Sequence, residues 1–188
     1  MIVRSWMMPC GGQESNIHLI ACESTREAAI IDAGGFPAEM REEIKSLALR
    51  VTHVLITHGH HDHVDSLGDM MSAYPRAIVC ATQRVSENTR IVAEGDTLQV
   101  GELRAHVIQT SGHTPDSISF VFGDEIVFCG DALFAGSIGG TSSARMRQEE
   151  ITHIREKILC LPDDCEIRPG HGPVTTVGIE RSSNPFLE

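Results

Sequence analysis

The sequence predicts an α/β sandwich, in which sheets pack together with helices on their outer faces. Strand-like and helix-like segments alternate toward both ends, and four short strand patterns follow one another in the middle, between residues 97 and 129. A glycine-containing turn closes several of these strands. So long an all-β run fits a sandwich better than a doubly wound parallel sheet. The 188 residues are enough for a single domain over 1–188, and no linker, repeat or low-complexity stretch divides them.

Ile2 to Met7 carries a weak strand pattern, and Pro9 to Ser15 reads as a turn-rich loop. Asn16 to Cys22 and Ala28 to Ile31 are apolar enough for strands, the second ending at Asp32-Ala33-Gly34-Gly35. Pro37 to Leu49 has helical spacing in Met40, Ile44, Leu47 and Ala48, with its proline in the tolerated first turn. The β-branched run Thr52–Thr57 reads as a buried strand. A helix from about Val64 to Tyr74 then stops at Pro75, and Ala77–Cys80 forms a short strand. Arg84 to Glu94 is polar and unassigned. Strands follow at Thr97–Val100, Leu103–Gln109, Ser117–Phe122 and Glu125–Cys129. Gln148 to Leu161 repeats isoleucine and leucine at helical spacing, and Glu166–Arg168 is a last strand before Pro169-Gly170-His171-Gly172-Pro173.

Composition narrows the partners. The net charge of −11 would repel nucleic acid and anionic membrane surfaces, and no apolar run approaches a membrane span. The first ten residues lack the sustained apolar segment of an export signal. Six cysteines without a Cys-x-x-Cys pair then point to free thiols in a reducing cytoplasm. Cys129, close in sequence to Asp131, is expected to be a small buried hydrophobe.

The chemistry concentrates in His58-Gly59-His60-His61-Asp62-His63, where four metal-capable side chains stand in the order His-x-His-x-Asp-His. Past a strand the chain is still extended, so His58 and His60 point the same way. Asp62 and His63 open the next helical pattern and arrive from another direction. The plainer alternative, a polar loop of solvated histidines, leaves that order unexplained. Three later turns share one format, a potential ligand beside glycine at a strand end: His113 in Ser111–Pro115, Asp131 after Gly130, and His171 in Pro169–Pro173. His58, His60, Asp62, His63, His113, Asp131 and His171 make seven candidates, more than a four-coordinate ion accepts. Two ions about 3.5–4 Å apart with Asp131 between them would use all seven; one ion with fewer ligands is the alternative. Zinc is the expected metal, with iron or manganese as substitutes. Asp32 either supports a ligand histidine from behind or starts a turn for local reasons. His18, His53, His61, His106 and His153 read as structural or solvated, and Arg145, Arg147 and Arg181 as surface charges.

Taken together, Thr57–His63, Ser111–Pro115, Gly130-Asp131-Ala132-Leu133-Phe134, Pro169–Pro173 and Asn184-Pro185-Phe186-Leu187 resemble the metallo-β-lactamase-fold superfamily, and within it the compact type II glyoxalase (hydroxyacylglutathione hydrolase)-like members. The resemblance implies an αββα sandwich with metals at one edge between the sheets. It implies one metal on His58, His60 and His113, a second on Asp62, His63 and His171, and Asp131 bridging them. Gly139-Gly140-Thr141-Ser142-Ser143 stands where relatives show Gly-Arg and an aromatic that place a glutathione conjugate, and Asp116 stands where they often carry glycine. Long glyoxalases add a C-terminal helical region for glutathione, and none is expected within these residues.

The expected function is therefore hydrolysis of a small-molecule thioester, such as a thiol conjugate, or of a related ester. Two cations acidify a bridging water to hydroxide, and Asp62 orients it while serving as a ligand. No Gly-x-Ser-x-Gly elbow or phosphate-binding glycine loop offers another nucleophile or a nucleotide site. The main rival by resemblance is a persulfide dioxygenase holding a single iron on His58, His113 and Asp131. A metal-binding module without turnover is the third reading.

Overall fold

The computed structural model describes residues 1–10 and 13–187. Two six-stranded sheets carry the fold. In the first, β1 (Ile2–Cys10), β2 (Gln13–Ala21), β3 (Glu27–Ile31), β4 (Arg50–Leu55), β5 (Ile78–Ala81) and β6 (Thr89–Ile91) lie side by side in chain order. The second takes the order β14-β13-β10-β9-β8-β7, with β7 at Thr97–Val100, β8 at Leu103–Gln109, β9 at Ile118–Phe122, β10 at Ile126–Gly130, β13 at Glu166–Pro169 and β14 at Thr175–Thr176. A small hairpin, β11 (Leu133–Phe134) and β12 (Ser137–Ile138), follows β10.

Why the strands read as continuous apolar runs is plain from the packing. Successive side chains leave opposite faces of a strand, and both faces of each sheet are covered. On β4, Val54 joins Met40, Ile44 and Met70 beneath helices α1 (Ala38–Ser46) and α3 (Leu67–Ala73). Its neighbour Leu55 joins Ile31, Phe120 and Phe128 between the sheets. On β10, Phe128 enters that same inter-sheet core, whereas Val127 packs with Ile154, Ile158 and Val177 under α4 (Ala144–His153), its continuation Ile154–Ile158, and α5 (Val177–Ser183). The layers are helix, sheet, sheet, helix.

Strand direction then decides where the ligand candidates gather. β3 and β4 are parallel, so Asp32 and Thr57 leave the first sheet at one edge. β10 and β13 are parallel in the second sheet, so Asp131 and the Gly170-His171 turn also leave together. At that edge the sheets are tied: Asn16 N–H donates to Gly170 O at 2.7 Å and Ile118 N–H to Thr57 O at 2.9 Å.

Several sequence expectations need correction. Pro9–Ser15 is not simply loop, because β1 runs to Cys10 and β2 starts at Gln13; Gly11 and Gly12 lie outside the described residues. A proline is tolerated there because β1 is an edge strand. The helix expected over Val64–Tyr74 is two pieces, α2 (His61–Val64) and α3, since Ser66 N–H turns aside to Ala33 O at 2.8 Å. The helix expected from Gln148 begins at Ala144, where Ser143 Oγ accepts the Met146 N–H. The unassigned stretch 84–94 holds β6. No described helix is long and apolar enough to cross a membrane.

Candidate metal centre

All seven candidates converge at the sandwich edge in two groups. His58, His60, His113 and Asp131 form one, and Asp62, His63 and His171 the other, with the potential ligand atoms of each group within 4.8 Å of one another. His60 Nδ1 stands 3.0 Å from both His58 Nε2 and His113 Nε2. His171 Nε2 lies 3.1 Å from Asp62 Oδ2, and His63 Nε2 lies 3.7 Å from the same oxygen. Asp131 touches both groups, with Oδ1 3.3 Å from His63 Nε2 and Oδ2 3.5 Å from His113 Nε2 and 3.2 Å from His171 Nε2.

The imidazoles are oriented from outside. His113 Nδ1–H donates to Gly140 O at 2.7 Å and His171 Nδ1–H to Glu14 O at 2.5 Å. His63 Nδ1 pairs with Asp32 Oδ2 at 2.8 Å. Asp32 is itself held by the Thr57 N–H at 2.8 Å and the Thr57 hydroxyl, while Thr57 Oγ1 lies 3.1 Å from His58 Nδ1. Fixing the outer nitrogens of His58, His63, His113 and His171 turns the inner nitrogen of each toward the centre, where His60 presents its Nδ1. Asp32 thus stands behind a histidine, in left-handed backbone (φ 62°) that aspartate tolerates better than most residues.

Electrostatics point the same way. Burial and the neighbouring His63 imidazole lower His58 to about 2, and burial also lowers His113, so both stay neutral. Burial works against a charged His63, yet Asp32 and Asp131 on either side outweigh it and raise it to about 11. Burial opposes ionisation of Asp131 as well, but His171 and His63 hold it well below the usual carboxylate range. The buried spot between His63 and Asp131 therefore calls for positive charge. Neither His63 Nε2 nor Asp131 Oδ1 makes a hydrogen bond among the described residues. Buried polar atoms are rarely left so, and a divalent cation bound by these nitrogens and oxygens would satisfy them. The donor set fits a metal.

The sequence profile of the metallo-β-lactamase superfamily matches residues 10–172. The chain belongs to this superfamily. Hydroxyacylglutathione hydrolase GloC of Haemophilus influenzae is 32% identical over 96% of each protein. A hydroxyacylglutathione hydrolase of Actinobacillus pleuropneumoniae is 36% identical over 65% of this chain, which spans about half (52%) of that protein's length. Among solved structures, ETHE1 from Myxococcus xanthus superposes with a TM-score of 0.84 at 31% identity, over 98% of this chain and 84% of that one.

This metallo-β-lactamase-superfamily chain also uses residues that sequence reading passed over. Glu150 is fully buried behind His113, and neither of its oxygens has a hydrogen-bond partner among the described residues. Burial pushes its carboxyl up to about 8. A methyl group on Gly139 would meet Glu150 Oε1 at 2.7 Å and His113 Cβ at 2.9 Å. The available signal was register: Glu150 stands four residues before Ile154 and eight before Ile158, on the buried stripe of its helix. Asn16 is another, its amide donating to Pro169 O at 3.0 Å and Gly172 O at 2.8 Å and so bracketing His171. Other readings resolve simply. Cys22, Cys80, Cys129, Cys160 and Cys165 are free thiols, Cys129 buried with Sγ on Leu133 O at 3.1 Å. Arg181 is engaged with Leu161 O at 2.8 Å, with Leu159 O and with Asp163. Arg147 lies over the Phe186 ring.

His18 is a structural histidine with a consequence for pH. Its Nε2–H donates to Pro169 O at 3.0 Å and its Nδ1 meets Ser5 Oγ at 2.7 Å, bracing the turn before His171. Burial lowers it from 6.5 to about 4. Between those values the unfolded chain binds the extra proton, so stability must fall as pH drops from 6.5 toward 4, by up to about 3 kcal/mol. Urea unfolding at pH 7 and pH 4.5 should show that loss in the wild type and a distinctly smaller one in His18→Gln. Equal losses would contradict this role.

Proposed function

We propose that the chain is a two-metal hydrolase of thioesters or related esters, with His58, His60 and His113 holding one ion, Asp62, His63 and His171 the other, and Asp131 shared. The observation that carries this reading is the pair of donor groups meeting at Asp131, where buried His63 Nε2 and Asp131 Oδ1 have no hydrogen bond among the described residues. When bound, such a pair of divalent cations supplies a water acidified toward neutrality and a Lewis acid for a carbonyl oxygen. Zinc suits the nitrogen-rich set.

The chain's own residues do the arranging. Asp32, Gly140 O and Glu14 O fix His63, His113 and His171 by their outer nitrogens, so little reorganisation remains when substrate arrives. Asp62 is half-buried beside His171 and can accept a hydrogen bond from the attacking water, which fixes its lone pair toward the substrate. A thiolate leaving group needs little protonation, so a thioester asks less of a general acid than an oxygen ester does. The likeness to two hydroxyacylglutathione hydrolases supports a thioester as the substrate class. The rival is the single-iron persulfide dioxygenase. It draws on the His58, His113 and Asp131 subset and on the likeness to ETHE1.

Purified protein should contain two zinc ions per chain and cleave S-lactoylglutathione or a simpler acyl thioester. One iron per chain with oxygen uptake on glutathione persulfide would favour the rival instead. Gly170→Ala offers an independent check, because the added methyl would lie 2.2 Å from Asp131 Oδ1 and 2.5 Å from His63 Cε1. Its metal content and its thioesterase kcat/KM should both fall at least about tenfold with circular dichroism unchanged. Wild-type metal content in that variant would contradict the shared position of Asp131.

A further inference from the structure

We infer that Asp116 is a positioning residue for the three-imidazole group, fixing His60 through the backbone of Gly59. This rests on the metal reading above and adds a residue to it. Each imidazole of that group needs something to hold it. His113 has Gly140 O behind its ring and His58 has Thr57 Oγ1. His60 is exposed, and no hydrogen bond reaches its Nε2 among the described residues. Its place is therefore set by its backbone, which has just left β4 and has no further strand partner of its own.

Asp116 supplies the missing anchor. Its Oδ2 accepts the Gly59 N–H at 3.0 Å and the Gln83 Nε2–H at 3.0 Å, while its backbone oxygen accepts the Thr82 hydroxyl at 3.0 Å. The carboxylate acceptor makes the Gly59 and Gln83 bonds stronger than neutral ones. Asp116 is tied to His113 as well, because the turn between them is closed by Ser117 Oγ, which accepts the Thr114 N–H at 3.3 Å and pairs with Thr114 Oγ1 at 2.7 Å. One side chain thus joins the loop carrying His58 and His60 to the loop carrying His113, across the point where His60 Nδ1 and His113 Nε2 stand 3.0 Å apart. Gly59 leaves room for the contact: a methyl there would lie 2.9 Å from Gln83 Nε2 and 3.2 Å from Asp116 Oδ2. Among the described residues no hydrogen bond joins the Asp116 side chain to Asp62, His63 or His171, so its influence falls chiefly on the three-imidazole position.

The test uses metal-stripped full-length protein titrated with Zn²⁺ against a chromophoric chelator, with Co²⁺ absorption as the spectroscopic readout. Asp116→Ala should weaken one of the two binding steps by about 10- to 100-fold, leave the other within about twofold, and alter the Co²⁺ spectrum of the weakened site. Asp116→Asn keeps an oxygen acceptor at the same reach and should recover most of that affinity. Gly59→Ala, which crowds the same contact from the other side, should weaken the same step even if Asp116→Ala fails to fold. Two binding steps in the wild type that neither Asp116→Ala nor Gly59→Ala changes would overturn this inference alone. So would an equal loss at both steps that follows a fall in thermal stability. A wild-type chain that binds no ion would overturn the metal reading and this inference with it.

Discussion

The structure depends on the charge it buries at one sheet edge, where His63 Nε2 and Asp131 Oδ1 have no hydrogen bond among the described residues. Asp32 and Asp131 flank His63, and all three are buried. Isolated carboxylates and imidazoles in such a place would lose several kcal/mol of hydration each. A chain that instead fixes the outer nitrogens of His58, His63, His113 and His171 and turns the inner ones toward a common point has a site whose stability is completed by cations. The hydrogen bonds from Thr57 to Asp32 and from Asp32 to His63 are the means, since they settle which nitrogen faces inward.

Fold and site are linked by strand direction. Parallel pairing of β3 with β4, and of β10 with β13, delivers Asp32, the His58–His63 segment, Asp131 and His171 to the same edge from two different sheets. The inter-sheet core, with Phe120 and Phe128 fully buried, makes each sheet a rigid support. Loops then need only short excursions to complete the site, and the turns at Gly112, Gly130 and Gly172 take left-handed backbone (φ 149°, 52° and 75°) that glycine adopts freely.

Much of this was legible in the residues. The order His-x-His-x-Asp-His after a β-branched strand marked the site, and the strand-end glycines marked the three distant contributors, because metal geometry constrains spacing within a segment and support at strand ends. The superfamily followed from those motifs. What the sequence did not reveal depended on contacts made in three dimensions. Asp32 stood open between a turn and a supporting role until its carboxylate was seen against His63. Asp116 and Asn16 act through bonds to backbone far away in sequence, and no local pattern announces those. Elements as short as β11, β12 and β14, two residues each, have no periodicity to read. The split between α2 and α3 came from one backbone bond, Ser66 to Ala33, that overrode a continuous helical pattern.

The central claim is a pair of cations sharing Asp131. Crystals of the protein as purified, measured on both sides of the zinc absorption edge, test it most directly. The account predicts two anomalous peaks about 3.5–4 Å apart, one among His58, His60 and His113 and the other among Asp62, His63 and His171, with Asp131 between them. A site with no anomalous density, or with a single peak that leaves His63 and His171 without a metal contact, would contradict it.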